Sequence, residues 1–168
     1  MKNSKVKKLV FSALLAAVVC VATMMINIPS PANGYVNLGD CFVLLCGWLL
    51  GPWYGAAAAG IGSMFADIFA GYLYYAPATL IIKGLMGLVA AVLYRKAASK
   101  AALIVSGVVA EIIMVAGYFC FAAWFLGYGI AGAALSVPGN LVQGVVGLVA
   151  GTVLMQIFKR TKLQEQLL

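Results

Sequence analysis

Residues 79–87 read TLIIKGLMG, a single lysine, Lys83, inside a run that is otherwise uncharged from position 76 to 94. Whether that lysine is a surface charge or a buried one depends on what surrounds the run. Of the 168 residues, 65% are hydrophobic and only 9% are charged. A soluble domain carries about 25% charged residues, and the mean hydropathy here is +1.07. The chain therefore reads as an integral membrane protein, and the run around Lys83 as a membrane span. An ionised side chain at the centre of such a helix costs about 2.5–3.5 kcal/mol on insertion scales, so its presence points to a function.

Further apolar stretches occupy residues 9–27, 38–51, 53–71, 101–125 and 134–158. Each is near the roughly 20 residues needed to cross a bilayer, or slightly short of it. With 76–94 they make six spans in one domain, residues 1–168, of an all-α polytopic fold. The second span is the shortest, LGDCFVLLCGWLLG, and ends at the breaker Gly51-Pro52, which predicts a short, tilted or shielded helix. Lys2, Lys5, Lys7 and Lys8 precede the first span, Arg95, Lys96 and Lys100 join the fourth and fifth, and Lys159, Arg160 and Lys162 follow the sixth. Six spans put all three clusters on one side, so both termini are expected in the cytoplasm. Trp48, Trp53 and Tyr54 would then form an inner aromatic belt, and Tyr72, Tyr74 and Tyr75 an outer one.

At about 1.5 Å per residue, Lys83 lies one to two turns inside the outer surface. Asp40, Asp67, Asn140 and Gln143 fall in the same outer half, and Glu111 reaches the midplane. Gly60, Ser63, Asp67 and Gly71 share one helical face, as do Asn140, Gln143 and Gly147. A shift of sixty residues aligns KGLMGLVA (83–90) with QGVVGLVA (143–150), setting Lys83 on Gln143 at equal depth. These residues are the candidate lining of a cavity open to the outside, with Tyr118 as a stacking surface. Lys83 could instead pair with Asp67 or Glu111 to hold the bundle together, and Asp40 could cap a helix.

Several function classes are excluded. The net charge of +7 follows a positive-inside pattern rather than a nucleic-acid footprint. No GxxxxGK[ST] loop, serine elbow or HExxH occurs, and there is no histidine, so neither ATP hydrolysis nor intramembrane catalysis has its usual groups. The four cysteines show no CxxC spacing and read as packing residues, so no metal or other cofactor is expected.

The segment GYVNLGDCFVLLCGWLLGPWYGAAAAGIGSMFADIFAGYLYYAPATLIIKGLMGLVAAVL resembles the substrate-binding S components of energy-coupling factor (ECF) vitamin transporters. Within them it is most similar to the group for riboflavin, hydroxymethylpyrimidine or pyridoxine-like substrates. The resemblance implies six helices holding a vitamin near the outer face of the cell membrane, under the loop after helix one. Here that loop is IPSPANGYVNLGD and supplies Asn37. It also implies docking, through small residues of helix one, on a transmembrane coupling protein driven by two ABC-type ATPases, and delivery by toppling. Ala13 and Ala17 in SALLAA are the matching pair. The alternative is a small ion or metabolite channel or transporter working without ATPases, which would need more polar residues in the inner half than Ser106, Thr152 and Gln156 provide. A structural assembly protein would need no ligand at all.

Overall fold

A computed structural model describes residues 2–30 and 34–161. Lys162 of the expected cytoplasmic cluster and residues 31–33 of the expected lid loop lie outside these. Helix α1 (Lys2–Met25) leads into a two-stranded antiparallel hairpin, β1 (Asn27–Ser30) and β2 (Gly34–Asn37), in which Asn27 faces Asn37. Helices α2 (Asp40–Leu50), α3 (Pro52–Phe69), α4 (Ala76–Ala97) and α5 (Lys100–Cys120) follow. After a π-helical turn, Phe121–Phe125, come the short α6 (Gly129–Ala134) and the long α7 (Val137–Arg160). Four of these stretches are long and apolar enough to cross a membrane: Lys5–Met25, Ala76–Ala97, Lys100–Phe125 and Gly129–Arg160. The remaining two expected spans are α3, with 18 residues, and α2, with 11.

The shortness of α2 is explained by its position. Every residue of it except Phe42 is buried, so it is a central pillar wrapped by α1, α3, α4 and α7 rather than a lipid-facing span. A helix apolar on all sides needs such surroundings. Glycines allow the backbones to touch. A methyl group at Gly55 would meet the Cys46 carbonyl at 2.5 Å, and one at Gly60 the Leu80 carbonyl at 2.6 Å. Gly47 of α2 likewise lies against the Gly87 carbonyl of α4. Gly51, with φ +83°, makes the turn between α2 and α3 and lies under the Arg95 guanidinium.

The two ends of the bundle differ as the charge pattern requires. Lys159 at the end of α7 sits 5.0 Å from the Tyr94 ring at the end of α4, which brings the basic C-terminal turns together. At the opposite end the tyrosines gather, with Tyr35 of β2 packed on Tyr72 at a centroid distance of 4.7 Å.

Some expectations are corrected. The loop after helix one is partly a β-hairpin. Helix α7 begins at Val137, and the residues expected as a loop before the sixth span include a short helix at 129–134. Trp48 is no belt residue: it is buried in the core, and its Nε1 donates to Ser106 Oγ at 3.0 Å. Tyr75 is buried too, packed on Tyr118 and Phe121. Gly71 leaves the Gly60–Ser63–Asp67 face, because it ends α3 in a left-handed conformation and is exposed. Cys41 and Cys46 are buried packing residues, whereas Cys120 is exposed.

Candidate substrate-binding site

Helix α2 starts at Asp40 beneath the hairpin. Gly39, not Asp40, is its N-cap residue, and the Asp40 side chain turns into the bundle, where it is wholly buried. Lys83 of α4, 3% exposed, donates to Asp40 Oδ1. Gln143 of α7 donates its amide N–H to Asp40 Oδ2 at 2.8 Å. Lys83 and Gln143, the two residues matched by the internal repeat, thus hold the two oxygens of one carboxylate. Its partner is neither Asp67 nor Glu111, the two acids weighed from the sequence, because the start of α2 projects between α4 and α7.

Above this floor lies a cavity of about 40 Å³. Lys83, Gln143, Asn140, Asp67, Asn37 and Tyr118 all line it, so six of the eight expected substrate-binding residues meet at one place. Asp40 lies just below, behind Lys83 and Gln143. The Lys83 ammonium is 5.5 Å from the centre of the Tyr118 ring, within cation–π range. The hairpin closes the top by two bonds. The backbone N–H of Asn37 donates to Gln143 Oε1 at 2.8 Å, and the Tyr35 hydroxyl donates to Asp67 Oδ1 at 2.5 Å. Burial, and after it the nearby Asp67 carboxyl, push the Tyr35 phenol well above its ordinary range, so it remains a donor at neutral pH.

Glu111 does not line this cavity. Its carboxyl is packed against Gly144 and Gly147 beside Asp40, at the bottom of a lateral groove of about 370 Å³ between α5 and α7. Neither of its oxygens has a hydrogen-bond partner among the described residues.

Other lining residues were not singled out from the sequence. Thr79 precedes Lys83 by one turn on the same helical face, a spacing that could have revealed it, and its hydroxyl pairs with that of Tyr118 at 3.0 Å. Thr23 and Ser136 carry no comparable signal, since hydroxyls along membrane helices commonly bond to nearby backbone, as Ser136 does to Ala133, and Tyr35 lies on a four-residue strand too short to show a pattern. Beneath the floor, Leu44, Trp48, Met86, Met114 and Met155 are almost wholly buried and fill the bundle. Ala13 and Ala17, the expected docking pair, lie together on the exposed face of α1.

The profile of the ECF-type riboflavin transporter S component family matches residues 3–160. The chain belongs to that family. As an S component it is an integral protein of the cell membrane, a substrate-binding subunit for vitamin uptake, and its family and fold are those of transporter subunits. An uncharacterised protein of Pyrococcus woesei is 36% identical over 143 residues, covering 84% of this chain and 95% of that one. The thiamine precursor transporter HmpT of Lactococcus lactis is 30% identical, covering 96% and 93%. A solved S component of a bacterial ECF transporter superposes with a TM-score of 0.77 over 96% of this chain and 98% of that one, at 20% identity.

Proposed function

We propose that this S component captures a small water-soluble vitamin or vitamin precursor, of the hydroxymethylpyrimidine, pyridoxine or riboflavin-like kind, from outside the cell. It then presents the substrate to an ECF transmembrane coupling protein powered by two ABC-type ATPases. The observation that carries this is the buried polar cavity at the tyrosine-rich end of the bundle, opposite the basic turns, closed above by the hairpin and below by packed side chains. Such a site binds a solute from one side only. The alternative, a conducting channel, is disfavoured by the almost wholly buried Leu44, Trp48, Met86 and Met155 beneath the site. Lys83, Asn140, Gln143, Asp67, Asn37 and Tyr118 contact the substrate in this reading, with Asp40 and Glu111 supporting the floor from behind. Ala13 and Ala17 meet the coupling protein.

The similarity to a thiamine precursor transporter supports the small-heterocycle end of that substrate range. The test is reconstitution. Purified alone, the chain should bind substrate but hydrolyse no ATP, and proteoliposomes should take up substrate only when the coupling protein and ATPases are added with ATP. Uptake by this chain alone, driven by an ion gradient, would overturn the assignment in favour of a self-sufficient carrier.

A further inference from the structure

The charges on the floor of the cavity are already matched: Lys83 with Asp40, and the second Asp40 oxygen with Gln143. The α3 wall is different. Asp67 is 3% exposed, and while its Oδ1 receives the Tyr35 hydroxyl, its Oδ2 has no hydrogen-bond partner among the described residues. The hydroxyl of Ser63, one turn earlier on the same face and 1% exposed, has none either. Both residues line the cavity. Buried polar atoms are nearly always paired, so two adjacent unmatched ones facing a cavity mark the edge a ligand completes.

The chemistry of that edge is specific. A carboxylate oxygen only accepts, whereas a serine hydroxyl can also donate. Together they fit an N–H donor beside a ring-nitrogen acceptor, the pattern of an amino group next to a heterocyclic nitrogen. The electrostatics agree, since Asp67 lines the cavity and Lys83, the one buried cation among the described residues, is already engaged by Asp40. An anionic ligand would meet the Asp67 acid and no free base. The cavity's 40 Å³ is also far below the roughly 300–1,000 Å³ of pockets for drug-sized ligands, and the Tyr75 and Tyr118 side chains wall it. A fused tricycle would have to displace far more of these walls than one flat ring would.

Building on the S-component reading, we infer that Asp67 and Ser63 are the specificity-determining pair for an uncharged or cationic single-ring amino-heterocycle, and that phosphorylated forms are refused. Asp67 Oδ2 accepts the amino N–H, and the Ser63 hydroxyl donates to the neighbouring ring nitrogen.

The experiment is titration calorimetry on the full chain in detergent with four probes. These are a 4-aminopyrimidine bearing a hydroxymethyl group, the corresponding 4-oxo pyrimidine, the phosphate monoester of the amino compound, and riboflavin. The amino compound should bind, with the other three at least about tenfold weaker. Asp67→Asn should weaken the amino compound by about ten- to a hundredfold and narrow its preference over the oxo form, with thermal stability kept. Ser63→Ala should act in the same direction by a smaller factor. The inference is overturned if riboflavin or the phosphate ester binds best, if amino and oxo forms bind alike, if none of the four binds, or if Asp67→Asn leaves affinity unchanged. Should Asp67→Asn not fold, the amino-to-oxo ratio of the unaltered chain and the Ser63→Ala variant decide the matter. ATP-dependent uptake of another vitamin with the ECF partners would sink this inference while leaving the S-component reading standing.

Discussion

Gln143 Oε1 accepts the backbone N–H of Asn37 at 2.8 Å, across 106 positions of sequence, while the same side chain donates to Asp40. One amide thus ties the hairpin over the cavity to the ion pair beneath it. Gln143→Leu removes both bonds and leaves the Asn37 N–H and an Asp40 oxygen unmatched, each at a cost of about 1–3 kcal/mol. Amide exchange at residues 35–37 should accelerate at least tenfold, with weaker substrate binding. Unchanged exchange would show that the hairpin is held by other contacts.

The Lys83–Asp40 pair should behave non-additively. Lys83→Met alone strands a buried carboxylate, and breaking a buried pair in this way costs about 3–5 kcal/mol. Adding Asp40→Asn removes the stranded charge, so the double variant should be more stable than Lys83→Met. Thermal unfolding of the two single variants and the double variant in detergent measures this, and simple additivity would show that the two charges are not coupled.

Helix contact through glycine predicts a sharp size limit. Gly47→Ala drives a methyl group into the Gly87 carbonyl and should sharply reduce the yield of folded protein. Gly84→Ala should be tolerated, because its new methyl meets only the Ala56 carbonyl, at an ordinary 3.6 Å. Comparable yields of the two would mean that α2 and α4 can part easily.

Topology is tested by labelling. In a background lacking the four native cysteines, a cysteine at Gly129 should react with an impermeant maleimide added outside intact cells, whereas one at Ser99 should not. Reaction at Ser99 from outside would invert the orientation or change the span count.

Partner docking separates from binding. Bulky residues replacing Ala13 and Ala17 on the exposed face of α1 should abolish uptake in the reconstituted ECF complex while leaving substrate affinity within about twofold. A parallel loss of affinity would place these residues in the fold rather than at an interface.

The features legible in the sequence are those that local spacing encodes. The faces Ser63–Asp67 and Asn140–Gln143 point into the cavity as their i, i+4 and i, i+3 intervals require, and the sixty-residue repeat set Lys83 level with Gln143. What spacing cannot encode is which element comes between. The Lys83 partner is Asp40 because a short α2 enters between α4 and α7, a fact of tertiary topology. Trp48 looked like a belt residue because an aromatic near a helix end has the same pattern whether it meets lipid or, as here, the Ser106 hydroxyl. The hairpin escaped because four-residue strands interrupted by Pro29 show no alternation to read, and their pairing depends on what lies beneath.

The glycine contacts among α2, α3 and α4 also have a mechanical meaning. Where backbones touch through carbonyl oxygens, the spacing of the helices is set by main chain rather than by side-chain rotamers, so these three helices form a stiff wedge at those points. Compliance is left to the hairpin and to the grooved seam between α5 and α7. A ligand needing more room would gain it by displacing that side, with the wedge as the fixed jaw.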